Sequence, residues 1–99
     1  MATSSVKVAK DATHASPGAA AVAVLTLVVR DRKAAAAQVN EELSRTGDLV
    51  VARMGLAYRE RGIHIITLVV DATTDQIGAL TGRLGQIPGV TVKASLAKL

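Results

Sequence analysis

The hydrophobic and polar positions along this chain predict four strands and two helices. Continuous apolar runs rich in Val and Ile are typical of buried strands, and they mark the first and third strands. The fourth strand alternates apolar with polar residues, and both helices repeat apolar residues at helical spacing. The predicted strands cover 22–29, 49–59, 63–70 and 90–96, and the predicted helices cover 32–45 and 74–86.

Residues typical of helix caps and turns support these boundaries. Asp31 is a typical helix N-cap, and Thr73 with Gln76 fits a capping box at the start of the second helix. Gly47 is expected to end the first helix in the left-handed conformation, and Gly55 to form a bulge. Turns are predicted at 60–62 and 88–89.

The order of these elements, β-α-β-β-α-β, predicts an α+β fold of the ferredoxin-like type. Short loops and right-handed crossovers place two helices on one face of a four-stranded antiparallel sheet. Residues 1–18 are rich in Ala, Ser and Thr and lack a sustained apolar period, so they are expected to form a flexible N-terminal tail. The folded domain is predicted to cover 19–99.

The first and third strands are apolar on both faces, so the sheet face without helices is also expected to be apolar. An exposed apolar face of this kind is typical of an interface. The sequence therefore predicts a homodimer or a larger assembly of this chain with itself. The alternative is that the N-terminal tail folds over this face.

The amino-acid composition argues against several kinds of ligand and partner. The 99 residues carry a net charge of +4 with no Cys, no Phe and no Trp. Without Cys there is no thiolate metal site, and a cytoplasmic location fits. Without Phe and Trp there is little on which bases could stack, which argues against nucleic-acid binding. The longest apolar run, 19–29, is too short for a membrane-spanning helix, which needs about 20 residues.

Positive side chains are predicted to gather where the first two strands end. Because these strands run in the same direction, the segments 30–33 and 59–61 meet at one edge, beside the start of the first helix. Guanidinium groups and free helix N–H groups suit a small anionic effector or an acidic partner loop. The alternative is a solvated rim in which Asp31 and Glu60 pair locally. We call this candidate effector site the Arg-rich edge; it comprises Arg30, Asp31, Arg32, Lys33, Arg59 and Arg61.

Three glycines interrupt the second helix. Gly78, Gly82 and Gly85 should each cost about 1 kcal/mol relative to Ala, and they fall on one side of the helix. We call them the glycine stripe and expect a second helix, a partner subunit or a ligand against it; the alternative is that the glycines are merely tolerated. His64, on the third strand, is expected at the interface between subunits, with a proton or metal role as the alternative.

Catalysis finds no support in the sequence. The chain has no Ser/His/Asp or Cys/His set, no phosphate-binding loop of known form, and no group of residues that suits a metal or a cofactor. Asp71 and Asp75 are interpreted as capping groups, and Glu41 and Glu42 are expected on the outer side of the first helix. The sequence therefore indicates a protein that is not an enzyme.

Three segments, 27–33, 53–59 and 77–93, resemble a family of small proteins named as regulators of the iron-only hydrogenase system. The last segment, IGALTGRLGQIPGVTVK, is the most specific, and the resemblance extends over 22–98. It implies an ACT-like βαββαβ domain that oligomerises and regulates, distantly similar to the effector domains of nickel-responsive repressors.

Two departures limit what this resemblance implies about ligands. ACT domains that bind amino acids tend to carry an Asp-Arg-Pro-Gly turn, whereas this chain has Asp-Arg-Lys-Ala at 31–34. Nickel-responsive proteins use several His and a Cys, whereas here His64 alone lies on a strand. The sequence thus favours an ACT-like regulatory or sensing domain that binds a small anionic effector. The alternatives are a protein-interaction module that docks through the second helix, and a weak nucleic-acid binder.

Overall fold

The computed structural model describes residues 3–8, 20–30 and 33–99, which form five strands and two helices. The predicted N-cap Asp31 lies outside the described residues. The strands are β1 (Thr3–Val8), β2 (Ala20–Arg30), β3 (Val50–Tyr58), β4 (Ile63–Thr73) and β5 (Val90–Lys98), and the helices are α1 (Lys33–Arg45) and α2 (Thr74–Gly85).

The strands form one antiparallel sheet in the order β1-β3-β4-β2-β5. Without β1, this is the strand order of a ferredoxin-like fold, and both helices supply buried residues to one core, so the predicted fold class is confirmed. The fifth strand, β1, comes from a segment predicted to be a flexible tail. That prediction is wrong for Thr3–Val8, because an edge strand needs only backbone pairing with β3 and little apolar pattern of its own.

The core lies between the helices and one face of the sheet, which we call the covered face. Alternate residues of β2 and β4 point into it, because successive strand side chains point to opposite faces. α1 and α2 add apolar side chains spaced three or four residues apart. The fully buried large side chains are Leu25, Leu27, Val29, Val39, Leu68, Val70, Ile77, Leu80 and Leu84.

The ends of α2 follow the sequence pattern. The Gln76 N–H donates to Thr73 Oγ1 over 3.1 Å, and the Thr73 N–H donates to Gln76 Oε1 over 2.9 Å, so the predicted capping box is confirmed. The turn at 60–62 also forms, with Gly62 in the left-handed region at φ 64°.

Two glycine predictions are wrong. Gly47 does not adopt a positive φ, because α1 instead ends with the Thr46 hydroxyl donating to the Glu42 carbonyl over 2.9 Å, followed by a 3₁₀ turn. Gly55 pairs regularly with Ile66, and the irregularity in β3 falls between Val50 and Ala52.

Glu42 is not on the outer side of α1, as the sequence suggested. Its residue exposure is 8%, and its Oε2 accepts a hydrogen bond from Arg83 Nε of α2 over 3.0 Å. The neighbouring Glu41 does face outward, where it pairs with Arg45. The buried carboxylate is therefore held by a charged partner that joins the two helices.

Candidate functional site

The strand ends of the Arg-rich edge meet as predicted. Arg30 of β2 and Tyr58 of β3 are both register partners of Ile63, so the two strands finish at the same end of the sheet. The Arg30 N–H also donates to the Gly89 carbonyl over 2.9 Å, which brings the loop before β5 to this end. Two members of the edge, Asp31 and Arg32, lie outside the described residues.

The described cations of the Arg-rich edge are exposed to solvent. Arg61 lies over the ring of Tyr58, with Cζ 5.9 Å from the ring centroid, a cation–π distance that orients its guanidinium across the end of β3. Arg30, Lys33 and Arg59 are also exposed. Binding of an anion here remains a prediction, as does the alternative of a solvated rim.

The glycine stripe faces open space. A Cβ built on Gly78, Gly82 or Gly85 would meet no heavy atom within 4 Å, once chain neighbours and the local helix backbone are set aside. The described part of the chain thus places no second helix against the glycine stripe, although α1 contacts another side of α2 through Glu42 and Arg83. A partner subunit or ligand at this surface remains a prediction.

A cleft opens between α1 and the covered face at β3 and β4. Its volume is about 270 Å³, and its polar lining groups are Asn40, Arg53 and His64. The other lining residues are Val29, Ala36, Val39, Gly55, Leu56, Ala57, Ile65 and Ile66. His64, predicted at a subunit interface, thus lies beside α1, and any interface role for it remains a prediction.

The sequence of β3 explains why the cleft exists. Arg53, Gly55 and Ala57 pair with Leu68, Ile66 and His64, which places them on the covered face. Because Gly55 and Ala57 carry almost no side chain, this part of the sheet lacks the bulk that fills the core beside β2. Sequence reasoning missed the cleft and Arg53, although small residues at alternate positions of a strand are a usable signal.

The opposite side of the sheet carries no helix from the part of the chain that the structure describes, and we call it the open face. Its side chains alternate with the buried ones, and most are half-buried or exposed, including Val24 at 42% and Met54 at 47%. The face is nevertheless mostly apolar on its central strands. Its apolar members there are Val22, Val24, Val28, Met54, Leu56, Ile63, Ile65 and Val69.

The described residues provide no cluster of metal ligands. No group of three or more His, Cys, Asp or Glu side chains among them could hold a metal ion. The Glu41 carboxylate accepts a hydrogen bond from Arg45 and raises the pKa of that guanidinium above its ordinary value, so its charge does not change at any ordinary pH. Neither described helix has the length and apolar run that a membrane crossing requires.

The βαββαβ order, the helices on one face and the strand order together define a ferredoxin-like α+β domain. Within that class, the chain belongs to the TM1266-like family, whose description is "Iron-only hydrogenase system regulator, putative", and the match covers residues 21–94. It is similar to the solved structure of the uncharacterized protein TM1266 from Thermotoga maritima. The two are 44% identical with a TM-score of 0.75, over 81% of this chain and 98% of the other. No curated protein matches the chain.

Proposed function

We propose that this protein is a non-enzymatic regulatory domain of the cytoplasm that works as a homo-oligomer and responds to a small anionic effector. The regulatory part is supported by the family description as a regulator of the iron-only hydrogenase system. The proposal of a homo-oligomer rests on the apolar side chains of the open face. The Arg-rich edge, with Arg30, Lys33, Arg59 and Arg61 exposed, is one location for the effector.

The open face has the dimensions of a stable interface. Five strands about 4.8 Å apart, each with about nine residues rising about 3.3 Å, give a face of roughly 700 Å². A standard protein interface buries about 800 Å² on each partner. Most of the open face would therefore be used by one partner of similar size.

A second copy of this chain matches the open face in chemistry. On the adjacent strands β2 and β4, the aliphatic pairs Val24–Val69 and Val28–Ile65 lie on either side of the pair Thr26–Thr67. Two such sheets can pack about 10 Å apart with their strands nearly aligned, as in a β-sandwich. The polar residue Lys93 lies on the outermost strand, β5, where it would reach solvent at the rim of the interface.

The test is the mass of the purified full chain in solution, measured by light scattering after size-exclusion chromatography. The wild type should be a dimer or a larger oligomer, and Val24→Glu should shift it to the monomer because a carboxylate would be buried without a partner. Ala37→Glu, which adds the same charge to the exposed side of α1, is the matched control and should keep the wild-type mass.

A monomeric wild type would contradict the assembly. So would a Val24→Glu variant that keeps the oligomer, because the subunits would then meet somewhere other than the open face. Circular dichroism on both variants separates loss of assembly from loss of fold.

A protein-interaction module that docks through α2 is the second candidate. The open space beside Gly78, Gly82 and Gly85 favours it, because another backbone could approach α2 closely there. Gly82→Leu would block that approach. A variant that keeps the mass and the ligand response of the wild type but loses a partner protein would favour this candidate.

A further inference from the structure

We infer that the cleft between α1 and the covered face binds a small aliphatic carboxylate that lacks an ammonium group, with Arg53 as the residue that holds the carboxylate. The inference rests on the proposed function for its regulatory meaning, because it names the chemistry of the effector. It differs from that proposal in location, since the cleft lies on the covered side of the sheet and shares no residue with the Arg-rich edge.

The size of the cleft sets the size of the ligand. Its volume of about 270 Å³ equals roughly nine water molecules at about 30 Å³ each. That is slightly below the lower limit of typical ligand pockets, about 300 Å³. The cleft therefore suits a molecule with a short branched aliphatic chain and is too small to enclose a nucleotide.

Aliphatic side chains form the inner part of the cleft. Val29 and Val39 are each 1% exposed, and Ile66 is half-buried beside them. Gly55 contributes only backbone, which leaves depth between β3 and α1. A hydrocarbon chain placed against these walls would leave water, which is the source of affinity for the apolar part of the ligand.

The charged and polar groups of the cleft favour an anion. Arg53 is half-buried, and among the described residues it belongs to neither the Arg45–Glu41 nor the Arg83–Glu42 ion pair. Its planar guanidinium can bind both oxygens of a carboxylate at once. The Asn40 amide can donate a further hydrogen bond from α1.

The same lining argues against an amino acid. None of the lining residues is Asp or Glu. An α-ammonium group would enter the cleft without a carboxylate partner and next to a guanidinium, which is unfavourable in a partly buried site. A carboxylate without the ammonium group avoids this cost.

The experiment is a titration of the full-length protein, labelled at its Ile, Leu and Val methyl groups, followed by NMR. The probe is 3-methylbutanoate. Two matched compounds are its neutral amide and valine, which adds the ammonium group at the carbon next to the carboxylate. Saturable shifts of the Val29, Val39 and Ile66 methyl signals are expected with the carboxylate, at a dissociation constant on the order of 1 mM for so small a ligand. The amide and valine should bind at least about tenfold more weakly.

Three variants locate the binding. Arg53→Met keeps the aliphatic stem and removes the charge, and should weaken binding about tenfold or more. Ala36→Leu fills the cleft from α1 without disfavouring the helix, and should abolish binding even if Arg53→Met proves unstable. Arg59→Met removes a cation of the Arg-rich edge and should leave the affinity unchanged.

Several results would overturn the inference. They are an absence of saturable shifts with 3-methylbutanoate, equal affinity for the amide or valine, or unchanged affinity in Ala36→Leu. Shifts confined to signals near the Arg-rich edge and lost in Arg59→Met would also overturn it, while leaving an anionic effector in place. The oligomer mass is measured separately, so failure of the assembly and failure of the cleft give different results.

Discussion

Val69 and Val70 are neighbours on β4, yet they face opposite sides of the sheet. Val70 is fully buried beneath the helices, whereas Val69 lies half-buried on the open face. The two faces of this strand carry similar side chains and differ in what covers them. An apolar strand face that the helices leave uncovered is typical of an interface, so the proposed association is expected at the open face.

The largest expected effect separates these two valines. Val70→Ala should lower the free energy of unfolding by about 2 kcal/mol, because it removes buried methyl groups and leaves a cavity. Val69→Ala should cost less than about 1 kcal/mol in the monomer, because its side chain is already partly exposed. Urea unfolding at a protein concentration where the monomer dominates measures both.

Equal losses for the two variants under those conditions would contradict the difference between the faces. The same two variants also test the proposed assembly through the open face. At high protein concentration, Val69→Ala should become more destabilising if the open face is buried in an oligomer, because unfolding is then coupled to dissociation.

A smaller effect is expected at the ion pair that joins the helices over the covered face. Arg83→Met should lower the free energy of unfolding by about 1–2 kcal/mol, because it leaves Glu42, whose side chain is 11% exposed, without its hydrogen-bonded cation. The loss stays below that of a fully buried pair because the Arg83 side chain is 46% exposed and solvent screens the charge.

The exposed pair on α1 is the matched control for this prediction. Arg45 and Glu41 form a hydrogen-bonded ion pair of 2.8 Å, with side-chain exposures of 64% and 67%. Arg45→Met should therefore cost clearly less stability than Arg83→Met, because solvent screens an exposed ion pair. If the two arginine variants lose the same stability in thermal and urea unfolding, burial of Glu42 is not what gives the pair its strength.

Most of the fold was predictable because local signals agreed with the final packing. The capping box at Thr73 and Gln76, and the turn at Gly62, depend on neighbours in sequence, and both predictions are confirmed. β1 was missed because an edge strand is selected by the backbone of β3 and not by a pattern of its own. Gly47 was misassigned because a Thr side chain supplied the helix end instead.

The candidate sites were less predictable, because they depend on how the helices and strands are placed relative to one another. The Arg-rich edge was predictable in its placement, because strand direction alone brings its segments together. Glu42 was misplaced because contact with α2 decides which side of α1 is buried. The cleft was missed because the small residues Gly55 and Ala57 matter only once the position of α1 is known.

The smallest effect concerns the glycine stripe, an exposed surface on the covered side of the sheet that can be compared with the open face. Gly82→Ala should raise the free energy of unfolding of the monomer by about 0.5–1 kcal/mol, because Ala favours the helix and its Cβ meets nothing within 4 Å. Gly62→Ala is the control: at φ +64° a side chain is strained, so stability should fall.

The oligomer mass of Gly82→Ala shows how its gain in stability should be interpreted. If Gly82→Ala stabilises the protein and keeps the oligomer mass and ligand response, the stripe is simply tolerated in α2, and the open face is left as the main surface for association. If the variant instead weakens the oligomer, another backbone packs so close to Gly82 that it leaves no room for a Cβ. In that case the subunits would meet through α2 and not through the open face alone.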